Sequence, residues 1–283
     1  MKTKLANSGL LVMCVTALGL VWALPSGADF DLMTATGIWH MNEGEGDMTM
    51  DSSASGSHGK LWRGPTWVDG RFGKALSFDG QSFVWMKPAA GVPEGTSPRT
   101  LMAHFKQHEV NQFVDAQHWL TDAEVILGTG KHNWTEQVAL QISAEAGPGG
   151  GIGIDVFDGR WMYPWDADTE WHHAAAVFPE GGVNTNDFII YFDGERVPQD
   201  EMVDALGPDV FDTVGGEVTI GCWTGGPNKF FNGINDDAAI FPYAIDPEDN
   251  ANVAKRGLVK GQTMDVSPSA KLATSWGALK ERE

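Results

Sequence analysis

The 283-residue chain carries a formal net charge of −19, from 38 Asp and Glu against 19 Lys and Arg. So acidic a chain repels a phosphate backbone, which excludes nucleic acid as a natural partner and disfavours an anionic membrane surface. Hydrophobic residues at 42% supply a sizeable core, while 35 Gly and 14 Pro call for many turns, a composition that suits one large all-β domain.

The N-terminus reads as a cleavable secretory signal. Lys2 and Lys4 give the positive start, Leu10–Leu24 is apolar but short for a membrane span, and Ser26-Gly27-Ala28 offers small residues for cleavage after Ala28, with a cut after Ala23 as the alternative. No other run is long and apolar enough to span a membrane in the mature chain. This implies a secreted, cell-surface or periplasmic location. Cys14 leaves with the signal, so Cys222 stands alone without an internal disulfide, and its setting predicts a buried small hydrophobe.

From residue 34 onward, short runs rich in Val, Ile, Phe and Trp alternate with turn residues. Strands are predicted over Ala75–Phe83, Thr100–Phe105, Glu124–Leu127, Gln137–Ser143, Gly151–Phe157, Trp171–Phe178, Asp187–Phe192 and Glu217–Cys222. Asp-Gly pairs at 69–70, 158–159 and 193–194 mark hairpins. The segment Lys106–Ala123, with His108, Gln112, Asp115, His118, Trp119 and Asp122, interrupts the pattern as a long insertion, and long ordered loops are often functional. One helix is signalled late: Asp246 caps, Pro247 occupies the first helical position, Glu248 and Asp249 face the positive end of the dipole, and Gly257 stops it after Arg256. Residues 261–270 read as a polar linker, and Lys271–Lys280 as a short peripheral helix. The organisation is a signal over 1–28, one domain over 29–260, and a linker and tail over 261–283. The fold class is an all-β antiparallel two-sheet sandwich, or jelly roll, with a short C-terminal helix.

Particular motifs narrow this further. Gly37-Ile38-Trp39-His40 leads into a Glu/Gly turn, then Asp51-Ser52-Ser53, then Lys74-Ala75-Leu76-Ser77-Phe78-Asp79-Gly80. Trp171-His172-His173, Tyr191-Phe192-Asp193-Gly194, Phe230-Phe231-Asn232-Gly233 and Asp236-Asp237-Ala238-Ala239-Ile240-Phe241 follow in order. Together, over roughly 35–258, they resemble the laminin-G-like, concanavalin A-like β-sandwich family. In this chain Asn235 stands where that family usually has an apolar residue, and Ala54 and Ser57 replace a Gly and an Asn in the Asp-Ser-Ser loop. The resemblance implies a jelly roll that more often binds than catalyses, and a structural Ca²⁺. Of the carboxylates in matched segments, which include Glu43 and Asp236, the best ligand subset is Asp51, Asp79 and Asp237. Each of the three also has an ordinary role as a turn or loop cap.

Adjacent His172 and His173 on a strand point to opposite faces and cannot easily share an ion; no His-Glu-x-x-His or paired Cys-x-x-Cys suggests zinc. No Glu-x-Asp-x-Glu strand, Gly-x-Ser-x-Gly elbow or P-loop is present. The chain is therefore read as non-catalytic. The candidate ligand-binding stretch is Arg160, Trp161, Tyr163, Trp165 and Asp166: alternate spacing puts the three rings on one face, either as a sugar-stacking platform beside polar groups or as core filling. Trp39, Trp67 and Trp171 read as core. The predicted function is a binding module for an extracellular glycan or a cell-surface or matrix protein. A structural or adhesive envelope protein without a sugar site is the alternative, and a glycan-degrading enzyme with a non-standard carboxylate pair is the third reading.

Overall fold

A computed structural model describes residues 32–258, apart from 111–122, 132, 134, 147–149, 158, 205–209, 211 and 227. The expected signal, Cys14, the linker and the tail helix lie outside the described residues. So do Gln112, Asp115, His118, Trp119 and Asp122 of the insertion, and Asp158 of one hairpin.

The strands arise in chain order. β1 (Gly37–Trp39), β2 (Met48–Thr49) and β3 (Gly59–Trp62) surround the Asp-Ser-Ser loop. β4 (Thr66–Asp69) and β5 (Lys74–Asp79) form a hairpin, and β6 (Phe83–Met86) crosses to the opposite sheet. β7 (Arg99–Gln107) and β8 (Ala123–Gly130) flank the insertion. A meander of β9 (Gln137–Ser143), β10 (Gly151–Asp155) and β11 (Arg160–Pro164) precedes a second one of β12 (His172–Phe178), β13 (Ile189–Phe192) and β14 (Glu195–Arg196). β15 (Val203–Asp204), β16 (Val218–Ile220) and β17 (Asn232–Phe241) complete the strands before α1 (Pro247–Arg256).

They assemble into two antiparallel sheets. Sheet A has eight strands in the order β14-β13-β12-β7-β17-β5-β4, with β1 also paired to β17; sheet B has nine in the order β15-β11-β10-β9-β8-β16-β6-β3-β2. The molecule is thus the two-sheet sandwich the composition predicts. Leu76, Phe78, Leu101, Phe105, Leu140, Ile154, Phe178 and Ile240 fill the space between the sheets, and full burial of each such side chain is worth about 1.5–3 kcal/mol. Asn235 belongs to this interior: its amide donates to the Ile126 carbonyl of the facing sheet at 3.2 Å. A polar residue replaces an apolar one there and ties the two sheets together.

The predicted strand over Ala75–Phe83 is in fact two. The Asp79 carboxylate accepts from the Gln81 and Ser82 amides, and Gly80 adopts a positive φ of 76°. This turn, set by the aspartate side chain, throws the chain from sheet A to sheet B.

The outer face of sheet A is also buried. Met102, Ala175, Val177, Tyr191, Ala239 and Phe241 pack there against Ile245, Val253 and Leu258. Burial on both faces explains why β7 and β12 read as continuous apolar runs. α1, which brings Val253 to that face, is capped as its sequence predicts: Asp246 accepts from the Asp249 amide at 2.8 Å, Lys255 and Arg256 occupy the last turn, and Gly257 takes a positive φ.

Candidate functional site

The structure separates the five residues singled out in the Arg160–Asp166 stretch. Trp161 lies opposite Ile154 and Tyr163 opposite Ile152, and both isoleucines belong to the inter-sheet core. The rings therefore face inward: Trp161 is 9% exposed, while Tyr163 and Trp165 are half-buried against the core. Trp165 is held by Phe105, His172 and Phe192, at centroid distances of 6.0, 4.9 and 5.1 Å. Arg160 points to the outer face of sheet B, and Asp166 stands exposed beyond β11.

The three carboxylates matched to a cation lie on separate elements: Asp51 between β2 and β3, Asp79 at the end of β5 and Asp237 within β17. Asp51 accepts from the amides of Ile38, Ser53 and Ser57 and from the hydroxyls of Ser53 and Ser55. Burial opposes its charge, yet these donors hold its pKa below the ordinary aspartate value. Asp79 caps the turn already described. Asp237, at a bulge with φ of 48°, pairs with His40 at 3.0 Å and accepts from the Leu258 amide. Among the described residues, no three His, Cys, Asp or Glu side chains are gathered for a metal.

A different surface is assembled by register. On the outer face of sheet B, Lys60 lies opposite Trp85, Trp85 opposite Thr219, Thr219 opposite Gly128, and the row continues through Ala139 and Asp155 to Arg160. In the next row Trp62 faces Phe83. The result is an aromatic platform. The Trp62 ring lies nearly parallel to Phe83 with centroids 6.3 Å apart, Trp85 meets Trp62 edge-on at 6.0 Å, and Phe230 reaches Phe83 at 6.1 Å. Trp62 is 41% exposed.

Cations sit on these rings. The Lys60 ammonium is 5.2 Å from the Trp62 centroid, the Lys87 ammonium 4.9 Å from Trp85, and the Arg63 guanidinium 5.3 Å from Phe230, all within cation–π range. Glu217 pairs with Lys87 and accepts from the Trp85 indole N–H at 3.2 Å.

At the far end of the row the sheet carries buried charge. The Asp155 Oδ2 accepts from Arg160 Nε at 2.7 Å, Lys229 Nζ at 2.9 Å and Gln141 Nε2 at 3.1 Å, while Oδ1 accepts from the Phe157 amide. Burial alone would raise the Asp155 pKa; Lys229 and Arg160 outweigh it and hold the carboxyl below its usual value. Lys229 also lies 4.3 Å from the Trp223 centroid. Trp223 in turn packs on Val125 and Ala139. Trp223 thus lies over β8 and β9, between the strands of the open platform and the closed ion cluster. Cys222, the preceding residue, is buried, and burial pushes its thiol up to about 12, so it packs as a small apolar residue.

The sequence profile of the laminin-G family, described as the concanavalin A-like lectin/glucanases superfamily, matches residues 109–249. This is a concanavalin A-like domain. A comparison with curated proteins by sequence finds no match. Among solved structures, domain 4 of AbnA, a GH43 extracellular arabinanase from Geobacillus stearothermophilus in complex with arabinotriose, aligns at 17% identity over 79% of this chain and 100% of that one, with a TM-score of 0.54. The Trypanosoma rangeli sialidase bound to 2,3-difluorosialic acid aligns at 9% identity and a TM-score of 0.51, over 82% of this chain but 35% of its own length. The binding domain of Paraclostridial Mosquitocidal Protein 1 aligns at 13% identity and 0.50, over 78% and 52% respectively. At such identities these likenesses speak for the shared fold alone.

Among the described residues of the concanavalin A-like domain, two carboxylates have a clearly raised pKa. Burial lifts Glu124 to about 8, with Gln107 as its hydrogen-bond partner, and burial together with Asp237 lifts Asp236 to about 6. Glu124 lies opposite Ile142 and so faces the interior. Asp236 lies opposite His104 on sheet A and accepts from the Phe72 amide. On different sheets and different faces, they do not make the close pair that glycoside hydrolysis uses.

Proposed function

We propose that this protein is a secreted, non-catalytic carbohydrate-binding module whose binding face is the Trp62–Phe83–Trp85–Phe230 platform. The observation that carries the reading is the exposed Trp62 ring, backed by Phe83 and Trp85 and bordered by hydrogen-bonding side chains. A flat apolar ring stacks on the C–H face of a sugar, while neighbouring polar groups meet its hydroxyls. The domain of AbnA described with arabinotriose shares the fold and lends the reading support as an analogy. In this arrangement Trp161, Tyr163 and Trp165 support the sheet from within.

Glycan-array binding of the protein, with Ca²⁺ and with chelator, tests the proposal against a Trp62→Ala/Trp85→Ala variant. Sugar binding that is lost in the folded variant supports it. The absence of binding in both conditions overturns it in favour of an architectural or adhesive role.

A further inference from the structure

Resting on that reading, the geometry points to an anionic glycan as the ligand, one whose uronate carboxylates or sulfate esters meet Lys60 and Arg63 while a sugar ring stacks on Trp62. The argument begins with charge. Basic residues are half as numerous as acidic ones in this chain, yet Lys60, Arg63 and Lys87 all project beside one ring cluster. All three are exposed. Lys87 is neutralised by Glu217. Lys60 and Arg63 have no carboxylate partner among the described residues; their charge rests on ring faces alone.

A ring-borne cation keeps most of its N–H donors for an incoming group. Arg63 presents a planar fork that matches a carboxylate or sulfate, and Lys60 a compact point charge. A neutral sugar makes little use of two such unpaired charges. In salt, attraction acts over roughly 8–10 Å, so the patch governs its own surroundings although the molecule as a whole is acidic. Arg63 adopts a positive φ of 59°, in a turn that begins directly after β3 and swings its side chain back over Phe83 and Phe230.

The test measures affinities of the full chain by calorimetry for two matched pairs: tetragalacturonate against its methyl ester, and sulfated dextran against dextran. Poly-glutamate serves as an anion without a sugar ring. Lys60→Gln/Arg63→Gln is compared with Trp62→Ala, and unchanged thermal midpoints establish folding. The expected result is that at least one acidic sugar binds about tenfold or more tightly than its neutral partner, the scale set by losing charge-assisted hydrogen bonds. The double variant removes that preference and flattens the salt dependence, and Trp62→Ala weakens every sugar. Whether galacturonate or sulfated dextran is preferred distinguishes carboxylate from sulfate. Equal binding of neutral and acidic partners overturns this inference while leaving the carbohydrate reading intact. Binding of poly-glutamate as tight as that of the acidic sugars, insensitive to Trp62→Ala, overturns it in favour of a general polyanion surface. No binding to any sugar overturns both.

Discussion

Replacing Asp155 by Asn is the sharpest probe of the outer face of sheet B. Asp155 is 0% exposed, Arg160 2% and Lys229 6%, so solvent cannot compensate for the change. The single Oδ2 atom accepts from both cations and from Gln141. An amide in its place removes a negative charge that two buried positive charges share, and turns an N–H₂ group toward some of the same donors. Breaking a buried pair in this way costs about 3–5 kcal/mol, mostly as uncompensated buried charge. Against a typical domain stability of about 5–15 kcal/mol, the variant should remain folded but with a markedly lower urea midpoint. Tryptophan fluorescence would follow the unfolding, with Trp223 beside the cluster as a local reporter. The loss should be constant from neutral pH down to about pH 4. Because the folded carboxyl titrates below its ordinary 3.8, its contribution is present above that value and lost as pH falls through the folded pKa. Adding Lys229→Met to Asp155→Asn removes one of the stranded charges and should recover part of the loss. A deficit under about 1 kcal/mol in the single variant would refute the view that these ions are held out of water.

Other expectations follow from the same physical rules. Burial lowers the His104 pKa to about 4, and burial followed by the neighbouring His104 and Arg71 holds His173 well below its usual 6.5. Both stay neutral in the fold while the unfolded chain takes up protons. Their contribution is complete above about pH 6.5 and declines as pH falls, by at most about 1.4 kcal/mol per pH unit for each; Glu124, raised to about 8, and Asp236, raised to about 6, work in the opposite sense below those values. His173→Leu should therefore raise the urea midpoint at pH 5 relative to that at pH 7 when compared with the parent chain, and an unchanged pH dependence would argue against the buried pair. Asp51→Ala removes the acceptor for five donors from the loop below β1, and a loss of about 3 kcal/mol in thermal or urea stability is expected. Gly153→Ala would set a Cβ 2.1 Å from the Trp161 carbonyl oxygen; this backbone collision should cost about 2 kcal/mol or more in chemical denaturation, and an unaffected midpoint would contradict the strand spacing.

Some of this was legible in the sequence and some was not, for identifiable reasons. β9 and α1 coincide with their predicted spans because each has a complete local signal: apolar alternation in one, and cap, proline and terminal glycine in the other. The break at Asp79–Ser82 was missed because the flanking apolar residues run on through it, and only the side-chain capping of the turn divides them. Alternation correctly put Trp161 and Tyr163 on one face, but it carries no sign. The sign comes from Ile152 and Ile154 across the ladder, which bury the rings. The Trp62–Trp85 platform left no local trace: β3 is only four residues long, and the surface exists because Trp62 falls opposite Phe83 in the register. The joining of Asp155, Arg160 and Lys229 is equally non-local, since Lys229 reaches the sheet from the loop before β17.

The placement of β17 also governs how the chain can be cut and in what order it can fold. This strand pairs with β7 along one side, while β5 and β1 share its other side end to end, Gly37 meeting Ile240. β1 and the β4–β5 hairpin therefore join the rest of sheet A only through a ribbon synthesised after all of them. Such distant pairing makes for slow closure and a long-lived open edge. A fragment ending before Asn232 would expose the flanks of β1, β5 and β7 at once, and the missing ribbon, supplied as a separate peptide or borrowed from a second molecule, would be the natural piece to seal them.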